Sequence, residues 1–181
     1  MSVCRSVQSE AFSEGLFSTT LKKMNKHLAK QIREMARLDQ KARFDVLASK
    51  TKPGTPNPLV YVVDACHNYR IWKLIADHGF PAKKTIGAKA LISFWLLVQH
   101  QDMDLKLQKE CLQRCGFALR ERAHLFDRIL VNEGKKQVYG TQFDEPIADR
   151  RYVDVRRKQA GLEPLAFYLK SRQDFLERNM K

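Results

Sequence analysis

Between Gly87 and Gln108, GAKALISFWLLVQHQDMDLKLQ, the pattern of apolar and polar positions changes abruptly. Ala88, Leu91, Ile92, Trp95, Leu96 and Val98 cover nearly every side of a helix, and a helix apolar all round is buried. The spacing therefore predicts a buried central helix over about 87–101. Directly behind it come Gln99, His100, Gln101, Asp102, Asp104 and Gln108. Titratable groups at the end of a buried helix are costly unless they find partners.

The same reading assigns helices on either side. Leu28, Ile32, Met35, Leu38, Ala42 and Val46 recur at three- and four-residue steps, which predicts an amphipathic helix from about 21 to 49. Asp39 and Arg43 stand four apart on it, as an exposed ion pair would. KPGTPNP at 52–58 breaks the pattern, and Asn57 then Pro58 open a second helix that Gly79 ends. Its expected buried stripe is Val62, Ala65, Tyr69, Trp72 and Ile75 or Ala76, with Asp64 and Asn68 sharing a face. Thr85 is placed to cap the central helix. A helix from Asp104 to about Cys115 follows, then one over 118–132 with Leu119, Ala123, Phe126 and Leu130 on its apolar face. Val138, Tyr139 and Phe143 around Gly140 and Thr141 predict a short extended YGTQ loop or hairpin. A solvated helix near 149–160 and a last helix after Pro164 complete the chain. The fold class expected is mainly α: a flexible arm over 1–20 and a single-domain helical bundle over 21–181.

Composition adjusts this picture in three ways. With 181 residues and 44% apolar content, the chain can bury one sizeable core. Its longest uncharged apolar run, Ala90 to Val98, is too short for an integral membrane segment. The first twenty residues lack the apolar region of a signal peptide, so the expected location is the cytoplasm, with a specialised export route as the alternative. Cys4, Cys66, Cys111 and Cys115 include no CxxC pair. A tetrahedral set from Cys111, Cys115, Cys66 and His67 is weaker than their reading as small buried apolar groups, and no metal or cofactor is expected. The net charge of +13 favours polyanions through long-range attraction and counterion release. The basic residues carry no recognisable nucleic-acid motif, and the plain reading of them is a solvated basic surface.

The candidate chemistry sits at element ends. QHQD at 99–102, Gln108, LFDRILVNEG at 125–134, QVYGTQF at 137–143, then the RR, GL and Tyr168 of the C-terminal part follow one another in an order that resembles a bacterial domain-of-unknown-function family, number 6624. DQKAR at 39–43 and HGFP at 78–81 also resemble parts of its pattern, and the likeness covers about residues 31–170. It implies a mostly helical single domain and marks these segments as a signature. Two positions depart from the pattern: Phe80, where Trp is common, and His124, where an aromatic is more usual.

Three functional readings follow. In the first, a small enzyme uses His100 as general acid or base, since an ordinary imidazole pKa near 6.5 suits proton transfer at neutral pH. Asp102 or Asp127 would orient it, and Arg43 and Arg128 would hold an anionic small molecule, phosphate-bearing or nucleotide-like. Asp39, Gln40, His78, Gln108, Gln137, Tyr139, Thr141 and Gln142 complete the substrate-binding set. In the second reading the same pocket binds without chemistry. In the third the polar groups hold the fold and the basic face binds nucleic acid or another polyanion non-specifically.

Overall fold

The computed structural model describes residues 24–48 and 58–179. The arm expected over 1–20, Asn57 and the prolines before it lie outside the described residues. The fold is mainly helical. The helices are α1 (Lys26–Ala48), α2 (Pro58–His78), α3 (Lys83–Ile86), α4 (Ala88–Gln99), α5 (Leu105–Arg114), α6 (Leu119–Asn132), α7 (Val153–Gln159), entered by a 3-10 turn over Arg150–Tyr152, and α8 (Leu165–Asn179). Among the described residues no helix is long and apolar enough to cross a membrane.

Helix α4 runs through the middle, contacting α1 most extensively and also α3, α5 and α6. Phe94, Leu97 and Val98 are fully buried on it and meet Ile32 and Met35 of α1, Ile71 of α2, Leu107 and Cys111 of α5, and Leu125 of α6 in one core. Burying each such side chain contributes about 1.5–3 kcal/mol. Helix α4 is not covered on every side, because Ile92 is half exposed. Trp72 and Trp95 lie at the core edge, where each indole N–H finds an acceptor, Asp104 Oδ2 and the Glu121 carbonyl.

Several local expectations are corrected. The buried face of α2 is His67, Ile71, Leu74 and Ile75, while Val62 and Tyr69 point outward. Its opening is apolar on several sides, so periodicity there does not single out one face. On α6 the core side carries Leu125 and Ile129, whereas Leu119 is exposed. Thr85 does not cap α4; its hydroxyl closes the short α3 by accepting from the Ala82 N–H and donating to the Ala82 carbonyl. Asp39 and Arg43 are not an exposed pair, since Asp39 is 1% exposed. The helix near 149–160 is not merely solvated, because Arg157 is completely buried. Cys111 and Cys115 are buried and Cys66 is exposed.

Candidate functional site

The C-terminal end of α4 brings its polar run to a surface cleft of about 630 Å³, lined by Tyr61, Asp64, Asn68, His100, Asp102 and Asp104 among others. Behind His100 lies Asp39 of α1. The imidazole Nδ1 is 2.8 Å from Asp39 Oδ2, and Gln40 donates to the same oxygen at 2.9 Å. Arg43 Nε lies 3.3 Å from Asp39 Oδ1 and also 3.0 Å from His100 Nδ1. One ring nitrogen cannot donate to Asp39 and accept from Arg43 at once. Burial alone would raise the Asp39 carboxyl, but the hydrogen bond and charge of His100, with Gln40 and Arg43, bring it down to about 2. An ionised Asp39 accepts a hydrogen bond from Nδ1–H, so we assign the Arg43 N–H to Asp39 and leave Nε2 as the imidazole's reactive edge.

Arg43 also reaches across to α2, with Nη2 2.6 Å from Asp64 Oδ1. Burial raises the Asp64 carboxyl from its ordinary value, and the Arg43 charge only partly offsets that. The other two carboxylates of the cleft are fully engaged. Asp104 caps α5 through the Leu107 N–H at 2.9 Å, and its second oxygen accepts from Asn68 and Trp72. Asp102 is held by a two-pronged guanidinium contact from Arg128 at 2.7 and 2.6 Å and by Asn132 at 3.0 Å. Burial works against its ionisation, but these partners lower its pKa overall. Asp64 is therefore the cleft carboxylate with an oxygen to spare among the described residues.

The remaining sequence-predicted residues build a scaffold beside this cleft. Asp127 is fully buried and accepts the backbone N–H groups of Val138, Tyr139 and Thr141 at 2.7 to 3.1 Å, as well as the Thr141 hydroxyl. Gln137, 1% exposed, closes the same loop by donating to the Gln142 and Glu145 carbonyls and accepting from the Gln142 N–H. Backbone pairing there is confined to a single bridge between Gln137 and Ile147. Arg157 donates to the carbonyls of Tyr139, Gly140 and Glu163, and Arg156 to that of Val138. Tyr168 donates its hydroxyl to the Thr141 carbonyl. Gln142 links loop and cleft by accepting from Arg128 at 3.1 Å. Gln108 is fully buried and donates to the Val98 and Gln99 carbonyls, closing the end of α4.

Asp39, Gln40, Arg43, His100 and Asp102 thus meet at or just behind the cleft, with Arg128, Gln108 and Gln142 in the shell around them. Asp127, Gln137, Thr141 and Tyr139 belong to the loop scaffold; the Tyr139 ring stands edge-on to Phe126. His78 is not brought in, since it ends α2 about 15 Å along the helix from Asn68. Asp64, Asn68 and Asp104 line the cleft without having been expected in the site, and Trp72 supports it from the core edge through Asp104. The shared face of Asp64 and Asn68 was a usable signal, because an exposed helix face carrying carboxylate and amide opposite a polar α4 terminus can only meet it once the two helices pack.

Among the described residues no group of three or more His, Cys, Asp or Glu side chains is arranged to hold a metal ion. No curated protein and no solved structure matches the chain. A family model does match, over residues 26–181, which includes α1 and all that follows it. With its whole helical domain covered by that match, the chain belongs to the family of unknown function DUF6624.

Proposed function

We propose that the cleft at the end of α4 is the active site of a small enzyme that works by proton transfer. The observation that carries this is the Asp39–His100 pair: a carboxylate 1% exposed, 2.8 Å from Nδ1, behind an imidazole that lines an open cleft. A buried carboxylate on Nδ1 holds an imidazole in one tautomer and orientation and stabilises its protonated form, which is the logic of acid–base and nucleophile-activating sites. In this reading His100 Nε2 exchanges the proton with the substrate and Asp39 is a positioning residue. Asp64 is the second proton carrier, because its environment and that of Asp39 push two nearby carboxyls in opposite directions.

The ligand is a neutral polar or cationic small molecule. Arg43 and Arg128, the cations that would otherwise receive a phosphate, are already matched by Asp39, Asp64 and Asp102. With Asp104 added, four carboxylates face two guanidiniums around the cleft, and a phosphate entering it would have to displace one of them. The phosphate-bearing ligand expected from the arginines is thus the weaker choice. The YGTQ loop supports the site from behind and does not take part in the chemistry.

The test is a panel of small amines, amides and phosphorylated metabolites, scored first by the shift in melting temperature and then by turnover. A compound of the first two kinds should raise the midpoint and be converted. His100→Ala should abolish conversion while keeping most of the binding shift, because it removes a group needed for the reaction and not for affinity. Binding only by phosphorylated compounds, lost in Arg43→Ala or Arg128→Ala, would overturn the ligand class; binders left unconverted by the wild type would overturn the enzyme.

A further inference from the structure

The cleft has a second chemistry that proton transfer does not use. Tyr61 of α2 is more than half exposed, and Met103, in the turn between α4 and α5, is 92% exposed. Both belong to the cleft wall, beside Asp64 and His100. A lone apolar side chain on a surface is ordinary, but here two from separate elements line one concave site. An uncovered phenol ring and an uncovered thioether gain most from the same partner, a second aromatic ring. Such a ring stacks on, or meets the edge of, the first and takes a sulfur–ring contact from the other.

The mounts of these two side chains are fixed. On either side of Met103, Asp102 is held by Arg128 and Asn132, and Asp104 by Asn68 and Trp72. The Asn68 and Trp72 bonds tie the turn to α2, so the Tyr61 and Met103 sides of the cleft keep a set separation. Helix geometry then orders what lies along α2. Tyr61, Asp64, Ala65 and Asn68 recur at three- and four-residue steps and so share one face. Tyr61 stands about 4.5 Å along the axis before Asp64, and Asn68 about 6 Å beyond it. The Asn68 end is closed by its hydrogen bond to Asp104. Asp64 has one oxygen on Arg43 and the other open among the described residues. Ala65, exposed and small, leaves room beside Tyr61. A ligand that places a positive N–H group on Asp64 therefore extends toward Tyr61, with about one helical turn between its charge and its apolar part.

We propose that the ligand of this cleft is an arylalkylamine, with its ammonium on Asp64 and an aromatic ring roughly one or two carbons away, held between Tyr61 and Met103. Resting on the reading of the cleft as an active site, this makes Tyr61 and Met103 its specificity-determining residues. The excess of carboxylates over guanidiniums supplies the preference for a cation, and the two apolar lips supply the preference for a ring. A cleft of about 630 Å³ accommodates such a molecule.

The full chain would be titrated by calorimetry with phenethylamine, cyclohexylethylamine, propylamine and hydrocinnamate. Phenethylamine should bind tightest. It should exceed the cyclohexyl compound, which matches it in size without a π face, by about threefold or more, and propylamine by about tenfold or more. Hydrocinnamate, which carries the ring on a carboxylate, should not bind. Tyr61→Ala and Met103→Ala, both at exposed positions, should each weaken phenethylamine by about threefold to tenfold and change propylamine by less than about twofold. Asp64→Asn should weaken the three amines alike. Equal binding of propylamine and phenethylamine would overturn the proposal, as would a ring preference that survives both alanine variants, or no binding by any amine. Turnover separates this from the enzyme reading. If compounds of the melting panel are converted by the wild type and not by His100→Ala, yet none prefers a ring, the ring site falls and the enzyme stands. If phenethylamine binds through Tyr61 and Met103 while no compound carrying that group is converted, the ring site stands and the enzyme falls.

Discussion

At the scale of single residues, two buried carboxylates show how similar side chains take different work from their surroundings. Asp39 is met by an imidazole that opens onto solvent, so the pair can exchange a proton with something outside. Asp127 is met by three backbone N–H groups and a hydroxyl, none of which can leave without undoing the loop. Asp127→Ala should therefore cost stability and not only activity. Leaving these donors buried and unpaired costs about 1–3 kcal/mol each before relaxation, so a net loss of about 3–5 kcal/mol and a melting midpoint roughly 10 °C lower are expected. A fall of less than 3 °C in a thermal melt would remove Asp127 from the scaffold. Reading Asp127 from the sequence as a catalytic partner of His100 was natural, since an Asp near a His in an ordered motif is what such sites contain. Which oxygen meets which hydrogen is set by a loop that folds back ten or more residues later, and no local pattern encodes that.

At the scale of elements, the loop after α6 is where backbone geometry matters most. Gly140 has φ of +69°, in the left-handed region that costs other residues about 1–2 kcal/mol. A Cβ there would also come within 2.9 Å of terminal methyls of Ile147 and Leu165. Those methyls can turn aside, so the backbone is the larger part of the penalty. Gly140→Ala should destabilise by about 1–3 kcal/mol, a midpoint lower by several degrees, read in the same melting assay. Unchanged melting would mean that the loop adopts another turn in solution. The helices themselves were legible: α4, α5 and α8 begin and end within a residue or two of where apolar spacing, Asp104 and Pro164 placed them. Their facing was less so. Helix α2 opens with a run of apolar and β-branched residues on several sides, and only its contact with α1 and the core picks His67, Ile71 and Leu74 as the inner ones.

At the scale of the whole molecule, stability and pH are coupled through groups on two different helices, α1 and α6, that both pack on α4. His124, set edge-on between Trp95 and Tyr168, is lowered to about 4, chiefly by burial and then by Arg120. A histidine whose folded pKa lies below its unfolded value contributes stability that is whole above about pH 6.5 and is lost as pH falls toward 4. The amount is up to about 3 kcal/mol. Asp39, lowered to about 2, acts in the same direction at more acid pH: its contribution is present above about 3.8 and lost as pH falls through 2. His124→Phe keeps an aromatic ring between Trp95 and Tyr168 and removes the first loss. Its melting midpoint relative to the wild type should rise as pH is lowered from 7.5 to 4.5, and a constant difference across that range would exclude His124 as the acid-sensitive group.

Local spacing is enough to specify a mainly helical chain, a central buried helix ending in QHQD and the opening of α2, and the order of the motifs carries a family resemblance that the match over 26–181 establishes. Period and caps depend on neighbours a few residues away, so they can be read along the chain. It took the packing of the helices to bring Asp39 to His100 across 61 residues of sequence, to join Asp39 to Asp64 through Arg43, and to set Asp127 and Arg157 around a loop. These pairings depend on which faces meet when helices pack, and a buried polar group accepts whichever partner that packing supplies.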